Sequence, residues 1–318
     1  MMHWLAAGAW SRAWLNRAYL AYSPAQRQHF YEYYAKIYTH RPAATYERTA
    51  GSERSATADE RAAASASAGV WRVQFNGVPL VMPLTRARRW LDWDLALAIV
   101  GHDLEVKQTY AALLNSPLRP ELFVDIGANY GTHSLLFLSQ GVSALSFEPN
   151  PACHPYLREI CRLNGVTPRL EPVALGERAG QVTLAYPPGR TWLGAVLPDS
   201  GGAAPDAWLR AAVEQKTLDA YVPALLGRRL PLKIDVEGAE LAVLRGAAAT
   251  LSQLRPLVIF ESQPGSARDA LFGWLAERGY RIHHLPWAPA GADEAVSAAD
   301  FRASPAMNFI ALPQGSQM

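Results

Sequence analysis

Residues 123–131 read FVDIGANYG, an apolar run that ends in Asp125 and is followed by Gly127, Gly131 and a helix-like segment over 132–140. That order describes a strand turning sharply into a helix at a ligand-binding bend. Glycine reaches backbone angles closed to other residues and lets a neighbouring group come close to the chain. The start of the helix offers N–H groups that have no partner within it. In open α/β sheets, ligands bind beyond the carboxyl ends of the strands. A dinucleotide bend needs G-x-G-x-x-G, with room for a pyrophosphate. Here Ala128 and Asn129 occupy the place of the second glycine, and the spacing is D-x-G-x-x-x-G. Asp125 would repel a pyrophosphate but could neutralise an ammonium, such as that of a methionine moiety.

A second apolar run ends in FEPN, with Glu148 lying 21 residues after Gly127 and Asn150 close behind. A carboxylate at this position can accept both hydrogens of a ribose diol. Its plainer role is an acid at a helix N-terminus, favoured by the dipole. A third run ends near Val173 and Ala174, where the chain would border an adenine or simply pack in the core. Asp125, Gly127, Asn129, Gly131, Glu148, Asn150 and Ala174 are therefore the expected cofactor contacts.

Further acids close the next runs. In LPLKIDVEG, period-two alternation places Lys233, Asp235 and Glu237 on one side. Three charges in a central strand are costly unless paired, so Lys233 is expected to compensate Asp235. Glu237 and Glu240 are expected in the first turn of the following helix, where the dipole favours acids; for Glu240 that is the preferred role. Group transfer to a hydroxyl or similar acceptor needs in-line positioning and a base. Asp235, Glu237 and His133 are the candidates, His133 standing two residues after Gly131 at the mouth of the bend. The plainer role of His133 is a helix N-terminal residue bonded to a nearby carboxylate. Glu261, in FES, faces the same rim and could join Asp235 and Glu237 around a hard cation, but nothing in the spacing demands one and no metal is expected. His283 and His284 are adjacent on a strand, point to opposite faces and make a poor metal pair.

These residues need a scaffold. Apolar strands are expected at 122–126, 144–147, 169–174, 232–236, 257–261, 281–285 and 308–312, separated by helical segments. Short buried strands alternating with helices indicate an α/β fold with a mainly parallel sheet covered on both faces. Ahead of them, 71–75 and 78–82 form a hairpin around Asn76-Gly77, followed by a helix over 103–114. Residues 186–215, rich in Pro and Gly, are expected to be a long loop serving as a lid or binding loop, or disordered. A last strand lying antiparallel beside the sixth would separate a mixed sheet from the all-parallel sheet of a dinucleotide fold.

The blocks VDIGANYGTHS, FEPNP, ALGE, TLD, LKIDVEGAELAVLRGA, FES and NFIALP, in this order, resemble FkbM-type methyltransferases across 70–313, with KIDVEGAE at 233–240 the most specific. The resemblance implies a class I Rossmann-like methyltransferase domain with a seven-stranded sheet whose last strand is antiparallel. It implies S-adenosylmethionine as cofactor and a hydroxyl oxygen of a sugar, polysaccharide or polyketide-type metabolite as acceptor. Two rivals remain at this point, a nicotinamide-dependent oxidoreductase and a non-catalytic protein that binds the same cofactor.

The rest of the sequence sets bounds. The 318 residues are 50% hydrophobic and 18% charged, which suits a globular chain with a sizeable core. A net charge of +2 gives no reason to expect a nucleic-acid partner. Cys153 and Cys161 are the two cysteines, expected in one helix and too far apart along it to bridge. They read as free thiols of a cytoplasmic protein. No apolar run is long enough for a membrane span. Residues 1–40 should form two short aromatic-rich helices. The plainer reading docks them on the main domain; the functional one brings them to a membrane surface or partner. Residues 41–69, mostly Ala, Ser and charged, should be a flexible linker to a domain over 70–318. No oligomeric state is assigned.

Overall fold

The computed structural model describes residues 69–84, 89–188, 191–197, 205–265, 267–289 and 294–315. The helices expected over 1–40 and the linker expected over 41–69 lie outside these residues, except for Gly69. The elements in chain order are β1 (Gly69–Phe75), β2 (Val78–Leu84), α1 (Arg89–Gly101), α2 (Leu104–Leu114), β3 (Leu122–Ile126), α3 (Thr132–Leu138), β4 (Ser143–Phe147), α4 (His154–Leu163), β5 (Arg169–Glu171), β6 (Ala174–Leu175) and β7 (Gly180–Tyr186). They continue with β8 (Ala195–Val196), β9 (Leu209–Lys216), α5 (Val222–Leu225), β10 (Pro231–Ile234), α6 (Glu240–Arg245), α7 (Ala248–Leu254), β11 (Leu257–Glu261), α8 (Ala267–Glu277), β12 (Tyr280–His284), α9 (Ala298–Ala303) and β13 (Asn308–Pro313). None of the described helices is long and apolar enough to cross a membrane.

Two compact units result. One holds the described residues up to Leu104 together with Tyr156–Thr167; the other holds Glu105–Pro155 and the chain from Pro168 onward. In the first, β1 and β2 pair antiparallel from Gly69↔Leu84 to Phe75↔Val78. Asn76 and Gly77 take φ of 45° and 80°, the two left-handed residues that a tight hairpin matching the strand twist requires. Helix α1 was not expected from the sequence. Asn164 supplies an extra rung to β2: its Oδ1 accepts the Val81 N–H at 2.8 Å, and its Nδ2 donates to the carbonyls of Val81 and Ile160, both at 2.7 Å. Asn164→Ala leaves these groups unmatched and should cost about 1–3 kcal/mol. A urea midpoint equal to wild type would rule this out.

The second unit is built on a seven-stranded sheet of order β12-β13-β11-β10-β3-β4-β5. The interior strands β3 and β10 are buried along their whole length, which is why LFVDI and PLKI read as near-continuous apolar runs. Strands β5, β4, β3, β10 and β11 run parallel, and β13 lies between β11 and β12, antiparallel to both. This is the mixed sheet expected of a methyltransferase and excludes the all-parallel sheet of the dinucleotide rival. Tyr110, Phe123 and Phe137 pack as one aromatic group under α3, the last two stacked at 4.0 Å.

Two expectations are corrected here. The single strand over 169–174 is two, β5 in the large sheet and β6 in a second sheet of order β6-β9-β7-β8. The segment over 186–215 is correspondingly not one loop. It contains β8, most of β9 and a 3-10 turn at Thr191–Leu193, and β7 pairs with β9 from Gly180↔Gln215 to Tyr186↔Leu209. Ala174, Leu184, Tyr186 and Val213 form this sheet's own small core.

Candidate active site

Parallel pairing brings the carboxyl ends of β4, β3, β10 and β11 to one edge of the sheet, the side on which such folds bind ligands. The β3–α3 bend is the first component. Gly127 has φ of 82°, and a Cβ there would meet the Asp235 carbonyl oxygen at 1.8 Å. Its smallness is therefore needed by the neighbouring chain after β10, whose Asp235 N–H donates to the Ile126 carbonyl at 3.0 Å. The bend's amides are also spoken for. Gly127 and Ala128 donate to the Phe147 carbonyl at 3.0 Å each, and Asn129 donates to Glu148 Oε2 at 2.6 Å. The expected free N–H cradle is thus engaged with the end of β4 at these positions.

Asp125 exposes 0% of its surface, and its Oδ1 has no partner among the described residues. Its Oδ2 accepts the Ser134 hydroxyl at 2.6 Å, and Ser134 in turn bonds Ser146 at 2.7 Å. The Ser134 N–H also donates to Asp125, which ties the first turn of α3 down to β3. Burial pushes the Asp125 carboxyl up, opposed by Lys233, its register partner on β10.

Glu148 follows β4 and is 6% exposed. Its Oε1 accepts the Asn150 N–H at 2.7 Å, so each oxygen holds one backbone N–H and keeps one lone pair for a further donor. Burial pushes its carboxyl up to about 7, against the pull of those two N–H groups. Asn150 accepts the Ala152 N–H on Oδ1 at 3.0 Å, while its buried Nδ2 has no partner among the described residues. Asn129 takes the left-handed φ of 48°. Cys153 lies just ahead of α4 and Cys161 within it; both are free and buried, so the expectation that both fall in the helix is corrected.

Acids at the ends of β10 and β11 make the second component. Because Ile234 pairs with Phe260 in parallel register, Asp235 and Glu261 are next neighbours just past that rung. Oxygens of Asp235, Glu237 and Glu261 lie within 4.8 Å of one another. Lys233, 5% exposed, holds Asp235 Oδ2 at 2.8 Å, the expected compensation. With that ammonium beside it, the trio does not by itself call for a metal. The chain after β10 turns through Glu237 at φ 55° and Gly238 at φ 99°. Glu237 is therefore in a strained loop ahead of α6, not in its first turn. Glu240 opens α6, and its Oε1 accepts the N–H groups of Val236 at 3.2 Å and Gly238 at 3.0 Å, which holds the turn in place. Burial raises Glu237 to about 7, with Asp235 and Glu240 adding to it.

Glu261 is pushed further, to about 9, by burial and then by Asp235, to which it is hydrogen-bonded. Two carboxylates this close cannot both ionise at neutral pH. Between its ordinary value near 4.5 and about 9, the folded chain keeps a proton that the unfolded chain has lost. Stability is therefore full below the first value and is lost as pH rises through the second. Glu261→Gln removes that proton and should flatten the dependence, with a gain of about 0.5–2 kcal/mol at alkaline pH. Urea midpoints measured from mildly acid to alkaline pH check it, and equal slopes in both proteins would refute it.

His133 stands in the first turn of α3, with Nδ1 3.0 Å from the Tyr110 hydroxyl and the two rings edge to face. The partner of its Nδ1 is a phenol. Ala174 is buried and pairs with Gln215 in the small sheet. The structure thus gathers Asn129, Glu148 and Asn150 into one group and Asp235, Glu237 and Glu261 into another. Sequence reasoning did not find Tyr110 or Thr191, which reach the site from distant segments and have no local signature.

Comparison with known proteins finds similarity to methyltransferases. Residues 125–282 match the family model described as the methyltransferase FkbM domain. The chain is 29% identical over 214 residues to methyltransferase sdnD of Sordaria araneosa, covering 56% of this chain and 80% of that protein. Among solved structures it is similar to methyltransferase FkbM from Methylobacillus flagellatus KT, with a TM-score of 0.39 and 17% identity over 66% of this chain and 55% of that one. It is also similar to a ribosomal protein L11 methylase from Lactobacillus delbrueckii subsp. bulgaricus, with a TM-score of 0.32 and 14% identity over 65% of this chain and 76% of that one. The chain therefore spans about half the length of the first of these structures, and at such scores the fold reading stands on strand order. Over residues 125–282, just under half of its length, this chain matches the FkbM methyltransferase family.

Proposed function

We propose that the chain transfers a methyl group from S-adenosylmethionine to a hydroxyl oxygen of a sugar, polysaccharide or polyketide-type small molecule. The observation that carries the reading is the acidic trio at the ends of β10 and β11, on the same sheet edge as the Glu148 carboxylate. The residues present fit an adenosyl cofactor. Glu148 has one lone pair left on each oxygen for a ribose diol, and the Asn150 Nδ2 is a buried donor without a partner among the described residues. Gly127, Asn129 and Gly131 shape the bend around it, Asp125 anchors the bend from below, and Ala174 packs at its side. The cofactor supplies an electrophilic methyl group on a sulfonium.

The chain's own residues handle the proton. Lys233 pairs with Asp235 at 2.8 Å, and Glu261 keeps its proton and is hydrogen-bonded through it to Asp235. Glu237, raised to about 7, takes the proton that the acceptor hydroxyl must lose. Tyr110 fixes the His133 ring, which is placed to orient the acceptor at the mouth of the bend.

Calorimetry with S-adenosylhomocysteine tests the cofactor assignment. Wild type should bind, and Glu148→Ala should weaken binding about 10- to 100-fold by removing two charge-assisted acceptors. Absence of binding to wild type, or affinity indifferent to the substitution, overturns the assignment.

A further inference from the structure

The Asn129 side chain is held at its oxygen. Oδ1 accepts the Thr191 hydroxyl at 2.9 Å and the Cys153 thiol at 3.1 Å. The two donors come from different parts of the second unit: Cys153 precedes α4, and Thr191 opens the 3-10 turn between β7 and β8 of the small sheet. A hydroxyl can donate or accept, so Thr191 alone would not decide which way the amide faces. Cys153 helps decide it. Burial raises its thiol well above the ordinary cysteine range, with Glu148 adding and a hydrogen bond with Thr191 opposing, so the thiol keeps the hydrogen that it donates to Oδ1. With oxygen turned toward both donors, Nδ2 must face the other way. Asn129 is half-buried, and Nδ2 has no partner among the described residues. The Asn129 backbone N–H meanwhile donates to Glu148 Oε2 at 2.6 Å, which sets this residue beside the carboxylate.

We infer that Thr191 and Cys153 are positioning residues that lock the Asn129 amide, so that its Nδ2 donates to the oxygen of the cofactor ribose hydroxyl whose hydrogen Glu148 accepts. A hydroxyl both donates and accepts, and the pair Glu148 and Asn129 offers it one acceptor and one donor at adjacent positions. The inference rests on the cofactor reading above. It also gives the segment between β7 and β8, part of the stretch expected to be a lid or binding loop, a share in cofactor binding.

The test is calorimetry with S-adenosylhomocysteine on the full chain. Thr191→Val keeps the shape and removes the donor. It should weaken binding about 3- to 10-fold, the effect of one neutral hydrogen bond, with the melting temperature unchanged. Thr191→Ser and Cys153→Ser restore or keep a hydroxyl donor and should bind within about twofold of wild type. In turnover, Thr191→Val should raise KM for S-adenosylmethionine and leave kcat in place. If wild type binds and Thr191→Val binds equally, the lock is refuted while the cofactor assignment stands. Equal weakening in Thr191→Val and Thr191→Ser also refutes it, because packing and not the donor would then be responsible. If wild type does not bind, both fall together.

Discussion

Glu237→Gln should lower kcat by about 10²–10⁴, the usual worth of a positioned base, while S-adenosylhomocysteine binds as in wild type. The geometry sets this expectation. Glu237 occupies a left-handed backbone position at φ 55°, which costs a residue with a side chain about 1–3 kcal/mol and persists only where its surroundings impose it. Glu240 imposes it by accepting the Val236 and Gly238 N–H groups. The result places the Glu237 carboxylate within 4.8 Å of those of Asp235 and Glu261. Burial and these neighbours raise it to about 7, where it can accept a proton and release it again near neutral pH. Activity should therefore climb as pH rises through about 7, and the Gln variant should lose that limb. Glu237→Gly gives a second handle. Glycine relieves the positive-φ strain of about 1–3 kcal/mol, set against about 0.4–1 kcal/mol for the freer unfolded chain, and should abolish turnover. Methyl transfer from labelled cofactor to a panel of sugar and polyketide alcohols measures both. A Gln variant within twofold of wild type would remove Glu237 from the chemistry.

Arg268→Met should cost about 3–5 kcal/mol of stability, a larger loss than that expected for Asn164→Ala. Arg268 exposes 0% of its surface and has no carboxylate partner in its hydrogen bonds among the described residues. Its Nη1 donates to the carbonyls of Phe301 at 2.7 Å and Ser304 at 2.6 Å. Its Nη2 donates to those of Ser262 and Ala306, both at 2.5 Å. The guanidinium lies 5.1 Å from the ring centres of Phe301 and Phe309. One side chain thereby joins α8 to the end of β11 and to the connection between α9 and β13. Removing it leaves four carbonyls without their donor, while Lys cannot reproduce the planar fork and should rescue little. Urea unfolding reads the result directly. An unchanged midpoint would show that these carbonyls find other partners at no cost.

Much of the sheet is legible from residue order alone. Expected strands at 122–126 and 257–261 have the observed bounds; those at 144–147 and 308–312 differ by one residue at one end, and those at 232–236 and 281–285 by one or two residues at both ends. Their sequences are apolar because neighbours cover both faces, and that requirement is written locally. The NG hairpin is likewise local, since two consecutive left-handed angles select Asn and Gly. The small sheet was not legible. Strand β9, LRAAVEQK, is largely exposed and carries charges; its pairing with β7 depends on contacts between distant residues.

The same division runs through the site. By itself the sequence determined where the acids and glycines fall along the chain and which strand ends carry them, because strand, turn and helix preferences act over a few residues. Tertiary structure decided what each one does. It sank Asp125 beneath the bend against Ser134 and Lys233, made Gly127 necessary to the Asp235 carbonyl, and brought Glu261 against Asp235. These outcomes depend on distance and desolvation, which arise only when separate strands are laid side by side.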